Sequence, residues 1–254
     1  MDLELTGKVV VVTGSSRGIG LGIARSFVAE GAAVLLCARN EDPLAAAVAE
    51  LRELGTVAGV VADVTTPAGV DAIMAAVSER FDGLDILVNN VGGSGPRSYD
   101  DTGGDELRRL VELNVLSGYE LVRAAVPRLR GRGGGVIAFV TSIWGRESGG
   151  ALGYNVAKGA EINLAGALAR ELAPDRIRVF SVAPGSIRHP GGSWDRRVRE
   201  DPEGMAAFVE REIPWGRFGT AQEVGDVVAF LCSPRASWVA GACVPVDGGQ
   251  SRSL

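Results

Sequence analysis

The chain has 254 residues, 46% hydrophobic and 22% charged, with a formal net charge of −5. It is long enough for one well-buried core, too acidic for an expected nucleic-acid stripe, and free of any apolar run near the ~20 residues a membrane span needs. A single histidine, His189, excludes zinc sites built on two or more histidines.

Short β-branched runs alternate with Ala/Leu-periodic ones. The predicted strands are 8–14, 33–39, 57–63, 85–92, 135–142, 177–185 and 242–249, and helices are expected at 18–30, 41–54, 67–81, 104–130, 152–172 and 221–232. Each strand run is almost wholly apolar, as a strand covered on both faces must be. Strand–helix alternation predicts an α/β fold, a Rossmann-type doubly wound domain of about seven parallel strands with helices on both faces. No linker or repeat divides the chain, so one domain, 1–254, is expected. Residues 186–216 break the rhythm as a long connection carrying Trp194 and Trp215, which reads as a lid.

The three cysteines, Cys37, Cys232 and Cys243, lie far apart in apolar contexts, and MDLELTGK carries no signal-peptide pattern. Both features predict a cytoplasmic protein with buried thiols.

After the first strand comes TGSSRGIG, with Gly14, Gly18 and Gly20 where strand turns into helix. Small residues there let backbone N–H groups approach a pyrophosphate, and the helix N-terminus favours its charge. The spacing is G-x3-G-x-G, and the plain alternative is a tight turn that needs glycine. The same stretch matches G-x-S-x-G, which would make Ser16 a hydrolase nucleophile with His189 as its only possible base. The second strand ends at Ala38-Arg39, where an NAD site would offer an acid. Arg39, with Arg17 nearby, suits a 2′-phosphate, so NADP(H) is expected in preference to NAD(H). A solvated strand-end arginine is the alternative.

YNVAK places Tyr154 and Lys158 one helical turn apart. A neighbouring ammonium lowers the phenol pKa from near 10, and an oxidised nicotinamide adds to the effect. Ser142 ends the fifth strand on the rim where open α/β sheets bind ligands. Asn114 is a poor helix-interior residue, which suggests a polar task. Asn90 and Gly92 follow the fourth strand on the same rim, and Asp63 and Val64 follow the third, where a carboxylate would accept from an adenine amino group.

In order and spacing, TGSSRGIG, Asp63-Val64, NNVG, Asn114, Ser142, YNVAK, Ala183-Pro184-Gly185 and VDGG resemble the short-chain dehydrogenase/reductase family. GRFGTAQEVGDVVAFLCSP is similar to its 3-oxoacyl carrier-protein reductase branch. The resemblance implies hydride transfer between NADP(H) and a small carbonyl or secondary alcohol. Tyr154 would be the acid/base, Lys158 its partner and ribose contact, Ser142 the substrate-orienting hydroxyl and Asn114 the anchor of a relay water. Gly14, Ser16, Arg17, Gly18, Ile19 and Gly20 would follow the phosphates, and Arg39 the 2′-phosphate. Asp63 and Val64 would flank adenine, Asn90 and Gly92 the ribose, and Pro184, Gly185 and Ile187 the nicotinamide end. His189 stands where the family often has threonine. A homotetramer is implied, with no nucleic-acid or membrane partner. A non-catalytic dinucleotide sensor is the alternative of a different class.

Overall fold

The computed structural model describes residues 1–253. Seven strands form one parallel sheet: β1 (Val9–Thr13), β2 (Ala33–Ala38), β3 (Val57–Val61), β4 (Ile86–Asn89), β5 (Gly135–Val140), β6 (Ile177–Pro184) and β7 (Cys243–Val246). Their order is β3-β2-β1-β4-β5-β6-β7.

Alternation along each strand sorts the core into two layers. Val10, Val12, Val34 and Leu36 face one side, with Ile23, Phe27, Val224 and Val228. Val9, Val11, Leu35 and Cys37 face the other, with Ile73, Leu121, Leu129 and Ala165. Register aligns Val11 with Leu35 on one neighbour and Leu87 on the other. Helices α1 (Gly18–Ala29), α2 (Glu41–Arg52), α3 (Pro67–Arg80), α4 (Gly104–Val111), α5 (Ser117–Gly131) and α6 (Leu152–Glu171) follow in chain order. After β6 come α7 (Ser193–Glu200), α8 (Pro202–Glu212) and α9 (Ala221–Cys232). Helices α1 and α9 cross through glycine: a Cβ at Gly225 would stand 2.5 Å from the Gly22 carbonyl.

The expected helix at 104–130 is not continuous. Helix α4 ends at Val111, a π-helical turn spans Glu112–Leu116, and α5 resumes at Ser117. Asn114 Nδ2 donates to the Leu110 carbonyl at 2.8 Å and to the Gly93 carbonyl at 3.0 Å. The widened turn thus swings Asn114 inward to bond a loop across the site, and π-bulges of this kind recur at functional positions. The segment 186–216 also has structure of its own, mostly α7 and α8.

The sheet order reverses between β1 and β4, so their carboxyl ends diverge and open a crevice. Chain segments after β1 and β4 are tied across it. Thr13 Oγ1 accepts the Asn90 and Val91 amides, and Asn90 Nδ2 donates to the carbonyls of Thr13 and Gly14.

Candidate functional site

A groove of about 710 Å³ runs along this crevice. Its walls hold Gly14, Ser16, Arg17, Gly18, Ile19 and Gly20 from the first turn, Arg39 after β2, Asp63 and Val64 after β3, and Asn90 and Gly92 after β4. Sequence reasoning therefore selected residues that the fold gathers into one wall. Pro184, Gly185 and Ile187 are not part of it. Pro184 and Ile187 are buried, and the Gly185 amide bonds the Val246 carbonyl. Ile187 lines a smaller cavity with Trp215 and Val246.

The groove fits a dinucleotide phosphate. Gly14 and Gly18 have φ of 61° and 60°, a left-handed conformation that glycine adopts without strain. A Cβ at Gly20 would collide with the Gly14 carbonyl. Arg17 caps α1 without a side-chain hydrogen bond, and the first turn contains no acid. The free amides at this end suit an anion. Arg39 is exposed and only 3.9 Å from Asp63 at closest, a weak pairing that leaves the guanidinium free to turn. Hydrogen bonds from Thr65, first the backbone amide, hold the Asp63 carboxyl below its usual range.

Beyond Gly92 the acid/base residues converge. A Cβ on Gly92 would sit 2.7 Å from Asn114 Oδ1 and 3.0 Å from Lys158 Nζ. Lys158 Nζ lies 5.8 Å from the Tyr154 ring centroid. Tyr154 is half-buried and Ser142 is buried, where its Oγ accepts the Trp144 amide at 3.2 Å. Lys158 itself is fully buried and donates to the Val140 carbonyl at 3.1 Å.

Sequence reading missed Glu161. It is 1% exposed and its Oε2 is 2.7 Å from Lys158 Nζ. Burial pushes its carboxyl up to about 7, against the pull of Lys158. Burial disfavours the Lys158 ammonium, yet Glu161 and Tyr154 together hold it above the ordinary lysine range. An acid at i+3 from Lys158 was the available signal.

Helix α7 also reaches the groove through Gly192, Ser193 and Arg196. The His189 ring lies against Gly18 and Gly192: Cβ atoms there would stand 2.8 and 2.7 Å from its Nε2. Its Nδ1 faces the Pro190 carbonyl at 3.2 Å. A larger cavity, about 830 Å³, lies under α7 and α8 between His189, Met205, Val209 and Phe218. Neither lining includes Tyr154 or Ser142, and the larger cavity also lacks the glycine turn and Gly92, so its size does not make it the reaction centre. Trp194 and Phe208 stack on each other, Phe208 stacks on Phe218, and Trp194 meets Phe218 at a tilt, with centroids 4.9–6.2 Å apart, so these half-buried aromatics form a cluster of their own.

Three arginines at the end of α5 are engaged within the fold. Arg128 bonds the Met74 carbonyl, Arg130 pairs with Asp175 at 2.6 Å, and Arg132 contacts Asp82 and Asp85. Burial pushes the thiols of Cys37 and Cys232 up to about 12, which makes them inert packing groups.

A family profile described as Enoyl-(Acyl carrier protein) reductase matches residues 14–251. The chain belongs to the short-chain dehydrogenase/reductase family. It is 36% identical over 254 residues to the 3alpha-hydroxysteroid dehydrogenase of Mediterraneibacter gnavus, covering 98% of each chain. It is also similar to the L-sorbose reductase of Gluconobacter frateurii, solved with NADPH and L-sorbose, at a TM-score of 0.95, 37% identity and complete coverage of both chains. A 7alpha-hydroxysteroid dehydrogenase solved with NADH and 7-oxo glycochenodeoxycholic acid superposes at a TM-score of 0.91 with 32% identity, over 100% of this chain and 98% of that one. Membership makes the protein an oxidoreductase that moves hydride between a nicotinamide dinucleotide and a carbonyl or alcohol carbon. The hydrolase reading of Ser16 and the non-catalytic sensor reading are set aside with it. Among the described residues no helix is long and apolar enough to cross a membrane.

Proposed function

We propose that the protein is an NADP(H)-preferring reductase of a small ketone or secondary alcohol, with Tyr154 as the acid/base. The observation that carries this reading is the meeting of Asn114 and Lys158 at Gly92, a residue of the groove that also holds Arg39, with the Tyr154 ring centroid 5.8 Å from Lys158 Nζ. When bound, the cofactor supplies the hydride at its nicotinamide carbon.

The chain's own residues do the rest. Free amides at the start of α1 and the Gly14–Gly20 turn hold the phosphates, with Ser16, Arg17 and Ile19 along them. Arg39 pairs the 2′-phosphate, and Asp63 and Val64 flank the adenine. Asn90 and Gly92 border a ribose, with Pro184, Gly185 and Ile187 backing the nicotinamide end. Ser142 donates to the substrate oxygen. Tyr154 gives that oxygen its proton during reduction and takes it back during oxidation. Lys158 holds a positive charge beside the phenol, which favours the phenolate left behind. Asn114 spends its side chain on Gly93 and Leu110, so a relay water would rest on its main chain.

Segment 186–216 serves as the lid of a single-domain enzyme. The protein works in the cytoplasm as a homotetramer. Leu116, Leu152 and Val156 expose apolar surface beside α5 and α6, and Phe230 and Trp238 do so on another face, which supports two self-contacts. Light scattering checks this: four chains per particle are expected, and a monomer contradicts it.

The test of function is NADPH consumption over a ketone panel, with Tyr154→Phe as control. Turnover by the wild-type chain and its loss in the variant are expected. Equal rates would overturn the role of Tyr154.

A further inference from the structure

Lys158 raises a problem of electrostatics. Its ammonium is buried with no water-exposed side, and such a group loses its charge unless another charge compensates it. The structure offers one candidate. Glu161 stands one turn further along α6, equally buried, at 2.7 Å. An ammonium has three N–H donors. One is spent on the Val140 carbonyl and one on Glu161, so the third is left for the groove beside Gly92.

Resting on the reading of Tyr154 as the acid/base, we infer that Glu161 is a positioning residue and buried counter-ion that keeps Lys158 charged and aims its free N–H at the reaction centre.

No other charge serves. The elements packed against α6 commit theirs elsewhere or expose them to solvent. In α4, Glu106 pairs with Arg109, and Asp105 with Arg108. In β6, Arg178 bonds carbonyls of Leu231, Cys232 and Ser233. On the π-helical turn Glu112 is exposed. After β5, Arg146 bonds carbonyls of Cys243 and Ser253. From β5 itself comes only the Val140 carbonyl. The groups that act on Lys158 are Glu161 and Tyr154, and Lys158 alone acts on Glu161. The pair is complete above about 7, where Glu161 has lost its proton; below that the ammonium loses its counter-charge.

The chain contains two lysines, so a protein labelled with 13Cε-lysine gives two signals, and a Lys8→Arg variant assigns them. In the free enzyme the wild-type Lys158 signal is expected to stay in its protonated position beyond the ordinary lysine range. In Glu161→Gln its midpoint falls by about two pH units. In Glu161→Asp it returns towards the wild type. An equal midpoint in wild type and Glu161→Gln overturns the inference. So does a wild-type midpoint below the ordinary lysine range, which needs no variant to fold. Alcohol oxidation supplies the catalytic half: its alkaline limb is expected to appear about two pH units lower in Glu161→Gln, because the phenol loses its cation there. An unmoved limb with a shifted Lys158 overturns that half. The lysine titration is independent of Tyr154→Phe, so failure of the acid/base reading is seen separately.

Discussion

Lys158 and Tyr154 lie on the same side of α6, with the ammonium 5.8 Å from the centre of the phenol ring. Both sit one helical turn apart, so their approach follows from helix geometry alone. Tertiary packing decides the rest. It buries the amine among Val140, Glu161 and Gly92 while leaving the phenol half-exposed. Fixed charge beside a reachable hydroxyl is what general acid/base catalysis needs.

Removing the hydroxyl removes the proton donor. Tyr154→Phe is expected to lower kcat by about 10²–10⁴-fold, the range of general acid/base catalysis. Its affinity for NADPH, measured by fluorescence titration, is expected to stay within about twofold, because no groove residue changes.

Cofactor choice is expected to turn on Arg39. The side chain is exposed and weakly paired, so Arg39→Ala costs the fold little. Loss of a charge-assisted contact to the 2′-phosphate raises the NADPH Kd by about tenfold or more. The NADH Kd stays where it was. Equal weakening of both, by isothermal titration, would remove the argument for NADP(H).

The inner strands were legible because they are covered on both faces, which demands continuous apolar runs such as VVVV at 9–12 and VIAFV at 136–140; the edge strands β3 and β7 are partly exposed but keep apolar runs. The glycine turn and groove residues were legible because backbone approach to phosphate constrains residue type locally. The broken helix at 104–130 was not. Its π-helical turn depends on Asn114 meeting Gly93, 21 residues earlier, and no periodicity in the helix encodes that contact. Glu161 escaped for a related reason. Lysine and glutamate three apart on a helix ordinarily mark a solvent-facing pair, and only packing against the sheet reveals this pair as buried. The aromatics of the 186–216 segment fit either a cavity or a cluster of the segment's own: Trp194 and Phe208 stack on each other, and both meet Phe218, just past the segment's predicted end.

Gly20 meets the chain too closely for a side chain. Gly20→Ala is expected to drive a methyl into the Gly14 carbonyl and the Asn90 amide, moving the phosphate turn. Overpacking of this sort costs about 1–3 kcal/mol. Thermal denaturation without cofactor reads that loss, and NADPH is expected to recover less stability in the variant than in the wild type.

Helix α9 begins with a capping box. Thr220 and Glu223 satisfy each other's backbone amides, and Arg217 holds Glu223 at 2.5 Å. The Arg217 hydrogen bond, then that from the Thr220 amide, lower the Glu223 carboxyl to about 2. A lowered folded value stabilises above the unfolded value and is lost as pH falls, here between about 4.5 and 2. Glu223→Ala is expected to cost about 1 kcal/mol at pH 7 in urea melts. The gap to wild type is expected to narrow through that acid window.

The central claim is hydride transfer to a carbonyl carbon at this groove. The direct measurement uses NADPH carrying deuterium at the transferring position, a ketone substrate and mass spectrometry of the alcohol, run with wild type and Tyr154→Phe. The account predicts one deuterium on the carbinol carbon with the wild-type enzyme and almost no alcohol with the variant. An alcohol whose new hydrogen comes from water, or the same yield from both proteins, contradicts it.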